Sequence, residues 1–481
     1  MQRVLVRPLV VLAALAAVAG AGSIAAARAD GPTRAPERLW LGFQDDSSFR
    51  WSARRDAMLD RAMRTGATIF RSNVYWSQIA PARPRNARDP FDPAYKFDDL
   101  DQLARAAQLR GISLLLTIWG TPTWANSGKG QNHAPTRVAD LDDFAYALAS
   151  RYSGRYPGYP YVGFYTVWNE PNLQQFLSPQ FDARGKPVAP ATYGALYKAG
   201  YAGIKAANPT AQVAIGETSP RGHDKVVAGV QPSETPGRFA QELSKVKGLR
   251  FDAWAHHPYP TRPGLPPTQQ GRFPNVTVAQ LPQFEKNLDT WFKRKSIPIW
   301  VTEYAYQTRP PGNLGVTPLK QALYLTQGLT TLERDARVKI IVWFTFGDTP
   351  GNPWKSGVVG VSGAAKPALT AFTRNAATVT SRNNTVAISS KRSVQAIRLP
   401  ALPIAYYEGV GARVGINWRL LTPRGASITA NTQLVTVGRD GWVTLPVTFR
   451  PNRGSSYVLK VNGADHDGHP LVTKVTLVAV T

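Results

Sequence analysis

Six carboxylates stand where an apolar run gives way to a loop: Asp45, Asp46, Glu170, Glu217, Glu303 and Asp348. A lone acid at such a point is commonly a loop cap or an ion-pair partner, so its neighbours decide its meaning. Glu170 lies in Thr166-Val167-Trp168-Asn169-Glu170-Pro171-Asn172, where an apolar run meets an amide, an acid and a proline that interrupts a strand. Glu303 lies in Pro298-Ile299-Trp300-Val301-Thr302-Glu303-Tyr304, a second apolar run that stops on an acid between aromatics. Two carboxyl groups that project from apolar strands into one crevice acquire different affinities for a proton. Burial raises a carboxyl pKa, and a neighbouring carboxylate drives the two values apart. One group then stays protonated while the other is ionised.

These acids need a scaffold that brings distant strand ends together. From Leu39 to about Ala377, short apolar runs alternate with amphipathic stretches. Strands are expected at 39–44, 68–75, 113–119, 162–168, 212–217, 251–256, 299–304 and 339–346. Helical periodicity appears between them, at 100–109, 141–152, 193–206, 281–295 and 319–333. Eight such alternations fit a (β/α)8 barrel, an α/β fold whose chemistry sits at the carboxyl ends of its strands. An open doubly wound sheet is the main rival. No Gly-rich phosphate loop follows the first strand, which weakens the nucleotide-binding form of that rival.

After Ala377 the pattern changes to short strands separated by Gly, Pro, Asn and Asp, expected at 385–389, 393–399, 404–407, 414–420, 427–436, 442–449, 457–461 and 471–480, with no helical segment. This predicts a small all-β sandwich. The expected organisation is therefore a segment 1–29, a barrel over 30–378 and a sandwich over 379–481. Residues 1–29 read as a secretory signal. Arg3 and Arg7 precede an apolar run from Leu9 to Val18, and Ala27-Arg28-Ala29 supplies small residues for cleavage before Asp30. That run is about half the ~20 residues a membrane span needs, and no later segment is long enough. A secreted protein with no transmembrane segment after cleavage is the expectation. The chain has no cysteine, which excludes disulfides, a thiol nucleophile and thiolate zinc sites.

The two acid-bearing segments resemble glycoside hydrolase clan A, whose members share a (β/α)8 barrel, and within it families 5 and 39. Asn169-Glu170-Pro171 at the end of strand 4 and Glu303 at the end of strand 7 carry the likeness, which covers roughly residues 38–378. Arg71 on strand 2, Thr121-Pro122-Thr123-Trp124 after strand 3, His257-Pro258-Tyr259 after strand 6 and Trp343 on strand 8 strengthen it. The resemblance implies that Glu170 is the acid/base and Glu303 the nucleophile of a retaining glycosidase acting through a glycosyl-enzyme. It also implies that Asn169 bonds the sugar 2-hydroxyl, Tyr259 orients the nucleophile with His257 nearby, Arg71 adds positive charge beneath, and Trp343 floors the subsite, with Trp124 as a further sugar contact. No metal or organic cofactor is called for. Glu217 has no counterpart in the family pattern and reads as a decoy. His256-His257 could suggest a metal, but adjacent strand residues face opposite ways, which argues against zinc. Asn172, Gln174 and Gln175 are candidates for substrate subsites on position alone. In the tail, Gly438-Arg439-Asp440-Gly441-Trp442, Phe449-Arg450-Pro451-Asn452 and Tyr457 resemble immunoglobulin-like modules of bacterial surface and secreted proteins.

Three functions remain open on these grounds: hydrolysis of a polysaccharide or oligosaccharide, glycan binding without catalysis at a cell surface, and transglycosylation. The presence of both carboxylates favours catalysis. The formal charge is +26, with Arg83, Arg85 and Arg88 clustered after strand 2, and 12 basic against 4 acidic residues from Thr380 onward. This fits adhesion to an anionic cell envelope, or an anionic glycan as ligand. Nucleic acid is not expected, because the basic residues form no known binding module.

Overall fold

Strands buried on both faces need near-continuous apolar sequence, and the eight expected runs have it. In the computed structural model, which describes residues 38–309, 315–409 and 411–480, they become β1 (Trp40–Gln44), β2 (Ile69–Tyr75), β3 (Ser113–Trp119), β4 (Phe164–Val167), β5 (Gln212–Thr218), β6 (Ala253–His256), β7 (Ile299–Tyr304) and β8 (Val338–Phe344). They pair in chain order, all parallel, and β8 closes on β1 through Trp40↔Ile340 to Gln44↔Phe344. The expected export segment lies outside the described residues. No described helix is long and apolar enough to cross a membrane.

Inward-facing side chains fill the barrel in layers. Ile69, Leu115, Ala214, Ala253, Trp300 and Ile340 form an apolar interior cluster, with Trp40 and Phe164 packed against it from the amino ends of β1 and β4. Side chains of opposite parity, such as Phe43, Leu114, Val167 and Trp343, join the larger core between strands and helices. The helices at Asp98–Leu109, Ala139–Arg151, Ala189–Ala207, Leu281–Trp291 and Pro318–Arg334 match expected periodic stretches. The last barrel helix, Pro367–Asn383, stacks Phe372 on Phe43 at 4.1 Å and bonds Leu39 through the Asn383 amide. Residues 378 and 379, the expected boundary, lie inside this helix.

The tail forms β9 (Thr385–Ser389), β10 (Val394–Pro400), β11 (Arg413–Leu421), β12 (Ser427–Thr436), β13 (Trp442–Thr448), β14 (Ser456–Ala464) and β15 (Pro470–Val480). A five-stranded sheet in the order β12-β11-β14-β15-β9 faces the pair β10-β13. One core joins them, with Ile397, Leu399, Val443, Leu445 and Val447 meeting Ile416, Trp418, Leu420, Leu459 and Leu477. Strict in–out alternation in β10, β11 and β13 is what a half-buried strand requires. One expectation fails here. The stretch read as a strand at 404–407 is a helix, Leu402–Glu408, with Pro403 in its first turn. Proline is well tolerated there, and packing against helix Asp98–Leu109 decides the conformation of a run too short for periodicity to settle.

Candidate active site

The layer above the apolar plug turns polar while keeping the inward parity. Arg71, Thr117, Thr166 and Thr302 come from β2, β3, β4 and β7, and Arg71 is fully buried. A buried guanidinium must place its five N–H groups. Nε donates to Thr117 Oγ1 at 2.9 Å, and Nη1 donates to Glu303 Oε1 at 2.6 Å and to Gln44. Nη2 donates to Asn169 Oδ1 at 2.8 Å and to Glu217 Oε2 at 3.1 Å. Five strand ends are thus tied to one cation.

Three of the six strand-end acids converge on this cation and its neighbour His257. Glu303 receives Arg71 on one oxygen and the Tyr259 hydroxyl on the other at 2.8 Å. Burial and the Glu303 charge keep the Tyr259 phenol far above its usual range, so it remains a donor. His257 spans the other two acids, with Nε2 2.7 Å from Glu217 Oε2 and Nδ1 3.0 Å from Glu170 Oε1. Nδ1 also lies 3.7 Å from Glu303 Oε2. Burial opposes charging the imidazole, but the Glu303 charge and the bonds to Glu170 and Glu217 push its pKa up to about 10.

The carboxyl groups therefore divide into two states. Burial, helped by the Glu303 charge, raises Glu170 above the ordinary carboxylate range, although His257 and Arg71 pull the other way. Burial would raise Glu217 too, but the Arg71 charge and His257 hold it below that range. Of these two, Glu170 is the group suited to carry a proton. The shared His257 nitrogen caps the Glu170–Glu303 separation near the lower edge of the ~6.5–9.5 Å spacing of inverting glycosidases. It accommodates the ~5–5.5 Å of retaining ones.

Backbone irregularity aims these side chains. Glu170 and Trp168 take φ of 37° and 73°, the left-handed region that a Cβ disfavours. The β5–β6 register shifts between Gly216 and Thr218, a bulge that turns Glu217 (φ 49°) into the barrel. Gly216 permits it: its φ is 108°, and a Cβ there would sit 2.7 Å from the Ala255 carbonyl. The β7–β8 register likewise shifts between Val301 and Tyr304, so that Thr302 bonds Glu217 while Glu303 also reaches the site.

The structure thus gathers Glu170, Glu303, Asn169, Arg71, His257 and Tyr259. Two expected contacts are placed elsewhere. Trp343 faces outward on β8, fully buried against Tyr304, with its indole N–H on the Ser356 carbonyl. The next residue, Phe344, has the inward parity and lines the cavity with Trp354. Trp124 is anchored to the Ala80 carbonyl at 2.8 Å, lies under the Arg83 guanidinium and is not among the cavity's lining residues. Asn172 fastens loops through Ser219 and Glu234, whereas Gln175 lines the cavity. His256 and His257 face opposite ways, His256 bonding Thr218 and the Val276 carbonyl. Asp45, Asp46 and Asp348 fasten loops through Gly347, Asn73 and Lys366. Glu217, expected to be a bystander, is fully buried inside the cluster. Gly216 just before it was the available signal, since glycine inside a strand marks bulges.

Glu170 and Glu303 open on a cavity of about 900 Å³. Residues 37–343 match the family model described as Cellulase (glycosyl hydrolase family 5). The chain belongs to glycosyl hydrolase family 5. No curated protein sequence matches it. Among solved structures, this family 5 chain is similar in fold to a family 39 glycoside hydrolase from Bacteroides cellulosilyticus WH2, at 19% identity and TM-score 0.51, over 86% of this chain and 80% of that one. It is similar also to a GH5_18 protein from Streptomyces cattleya solved with GlcNAc, at 15% identity and TM-score 0.51, over 74% and 85% of the two chains. The family 5 barrel thus sits in clan A with a retaining, two-carboxylate apparatus.

Proposed function

We propose that this family 5 chain is an exported hydrolase that cleaves O-glycosidic bonds of a polysaccharide or oligosaccharide by double displacement. The observation that carries the proposal is the pair Glu170 and Glu303, facing one cavity in opposite charge environments. In the first step a Glu303 oxygen bonds to the anomeric carbon as its bond to the leaving oxygen breaks, and Glu170 delivers its proton to that oxygen. The ester that forms has no charge at Glu303, so Glu170 ionises more easily. Glu170 then takes a proton from water as the water oxygen bonds to the anomeric carbon and Glu303 leaves, returning both groups to their starting states. Asn169, held by Arg71, bonds the 2-hydroxyl. The His257 imidazolium holds Glu170 in position and supplies a charge for its ionised form. The reaction needs no cofactor.

Incubation with a 2-deoxy-2-fluoro glycoside bearing an activated leaving group tests the mechanism. A covalent adduct mapped to Glu303 is expected. Turnover with no adduct, or an adduct elsewhere, would remove the nucleophile assignment. Release of reducing ends from a glycan panel separates hydrolysis from transfer to a second sugar. Export rests on residues 1–29, and amino-terminal sequencing of secreted protein should begin at Asp30.

A further inference from the structure

The cavity at Glu170 and Glu303 is bounded by loops after β4, β5, β6, β7 and β8. Apart from those two acids, the side chains lining it that can carry charge are Arg221, His223 and Arg262. All three can be positive and none can be negative. Two arginines of the basic cluster after β2 are matched by acids: Arg83 pairs with Asp140, and Arg88 with Asp142 and Asp143. Arg221 and Arg262 differ, since neither has a carboxylate partner among the described residues. The acid nearest in sequence, Asp224, is engaged by the Thr235 backbone N–H and hydroxyl at the start of helix Pro236–Leu243.

The loop that presents Arg221 is fixed. The Val276 N–H donates to the Pro220 carbonyl at 2.9 Å, and Arg221 Nη1 donates to the Thr261 carbonyl at 3.1 Å, tying the β5 and β6 loops together. Gly222 is wedged against the Glu234–Thr235 backbone, where a Cβ would lie 2.1 Å from the Glu234 carbonyl. Nη1 of Arg221 is thus spent on the protein, and Nε and Nη2 remain for a ligand. Gln175, Asn275 and Gln307 line the same cavity with neutral groups suited to hydroxyls.

We propose that Arg221 and Arg262, with His223, form an anion subsite, so that the chain acts on a glycan bearing carboxylate or sulfate groups close to the scissile bond. The inference rests on the hydrolase reading of this cavity and names its substrate class. A guanidinium matches a carboxylate or sulfate with paired, charge-assisted hydrogen bonds. At the mouth of a cleft, unpaired cations also attract a polyanion from a distance.

The test pairs binding with turnover. Probes are polymannuronate and glucuronan, each beside its carboxyl-reduced neutral form, and a sulfated galactan beside its desulfated form. Binding is measured on the Glu303→Gln variant by calorimetry, and turnover on the wild-type chain. At low salt, at least one acidic probe should bind about tenfold more tightly than its neutral form. The Arg221→Gln/Arg262→Gln variant should lose that margin while neutral binding stays unchanged, and added salt should shrink it. Arg221→Lys, which keeps the charge, should retain most of it. The uronate and sulfate arms separate the two anions. Equal binding of acidic and neutral forms, or an equal loss of both in the double variant, would overturn the subsite. Turnover of neutral probes alone would overturn the subsite and leave the hydrolase standing. Arginine-dependent binding of an acidic probe with no cleavage of any glycan would do the reverse.

Discussion

At the carboxyl ends of β4 and β5, Trp168, Glu170 and Glu217 hold positive φ, a backbone state that costs about 1–3 kcal/mol for a residue with a side chain. From Thr385 to Val480, every positive φ among the described residues belongs to glycine. The same contrast runs through burial. The barrel end encloses Arg71, Glu217 and His257, while among the described residues Gln395 and Asp465 are the buried polar residues of the sandwich. Positive φ and buried charge meet at the barrel end that carries Glu170, Glu217 and Arg71, whereas the strands of the sandwich follow local rules of alternation and only helix Leu402–Glu408 departs from them. The barrel's lower layers of Trp300, Ile340 and Leu115 supply the stability that lets its upper end depart from them.

Substitutions at the two ends of this contrast should differ by orders of magnitude. Glu303→Gln keeps the shape and removes the nucleophile, so kcat should fall roughly 10⁴-fold or more while circular dichroism is unchanged. Near-normal kcat in that variant would break the assignment. Glu170→Ala should lose about 10²–10⁴-fold on natural glycosides, less on substrates with activated leaving groups, and recover in part with azide. Glu217→Ala sharpens the comparison in stability. It leaves Arg71 and His257 short of a buried counter-charge, which costs about 3–5 kcal/mol and should show in urea denaturation. Arg419→Ala, on the open face of the sandwich, should change stability by less than about 0.5 kcal/mol. Similar losses at Glu217 and Arg419 would mean that the buried cluster stores no such dependence.

The pH profile reads the same cluster without disturbing the fold as much. kcat/KM should be bell-shaped, because Glu303 must be ionised and Glu170 protonated. Burial raises Glu170, so the alkaline limb should lie above the ordinary carboxylate range. His257 lowers Glu170 by its charge and hydrogen bond. Removing that charge in His257→Asn lets Glu170 keep its proton to higher pH, and the alkaline limb should move up. A limb that stays fixed or moves down would show that His257 does not face Glu170 in its charged form.

What could be read from sequence follows the same division. Eight barrel strands were legible because parallel strands buried on both faces need unbroken apolar runs. Glu170 and Glu303 were legible because each ends such a run. Glu217 was not, because its aim depends on a bulge, and a one-residue register change reverses which face a side chain takes. Parity also explains Trp343: the β8 aromatic that lines the cavity is its neighbour Phe344. Strands of the sandwich were legible from alternation. Helix Leu402–Glu408 was missed because its aromatic and β-branched residues read as strand, and only contact with the barrel selects the helix. The basic cluster at Arg83–Arg88 invited a binding role, but two of its members are matched by acids on helix Ala139–Arg151.

The smallest expected effect concerns the sandwich itself. It meets the barrel at the end opposite the carboxylates. Trp442 packs edge-on against Trp40 at the amino end of β1, with Arg38 over both rings, and Pro403 lies against Gly111 at the entrance to β3. A chain ending after Asn384 keeps helix Pro367–Asn383 and every residue of the site, and it exposes Trp40 and the flank of helix Asp98–Leu109. Its melting temperature should drop, since apolar area returns to water. Its kcat/KM on a small soluble glycoside should stay within about threefold of the full chain, because the rest of the barrel separates that seam from Glu170 and Glu303. A chain ending after Ala377 instead cuts the helix and loses the Asn383 bonds to Leu39, so it should be the less stable of the two. A well-folded chain ending after Asn384 with no turnover would show that the sandwich reaches the chemistry through the barrel, and the division between the two regions would have to be redrawn.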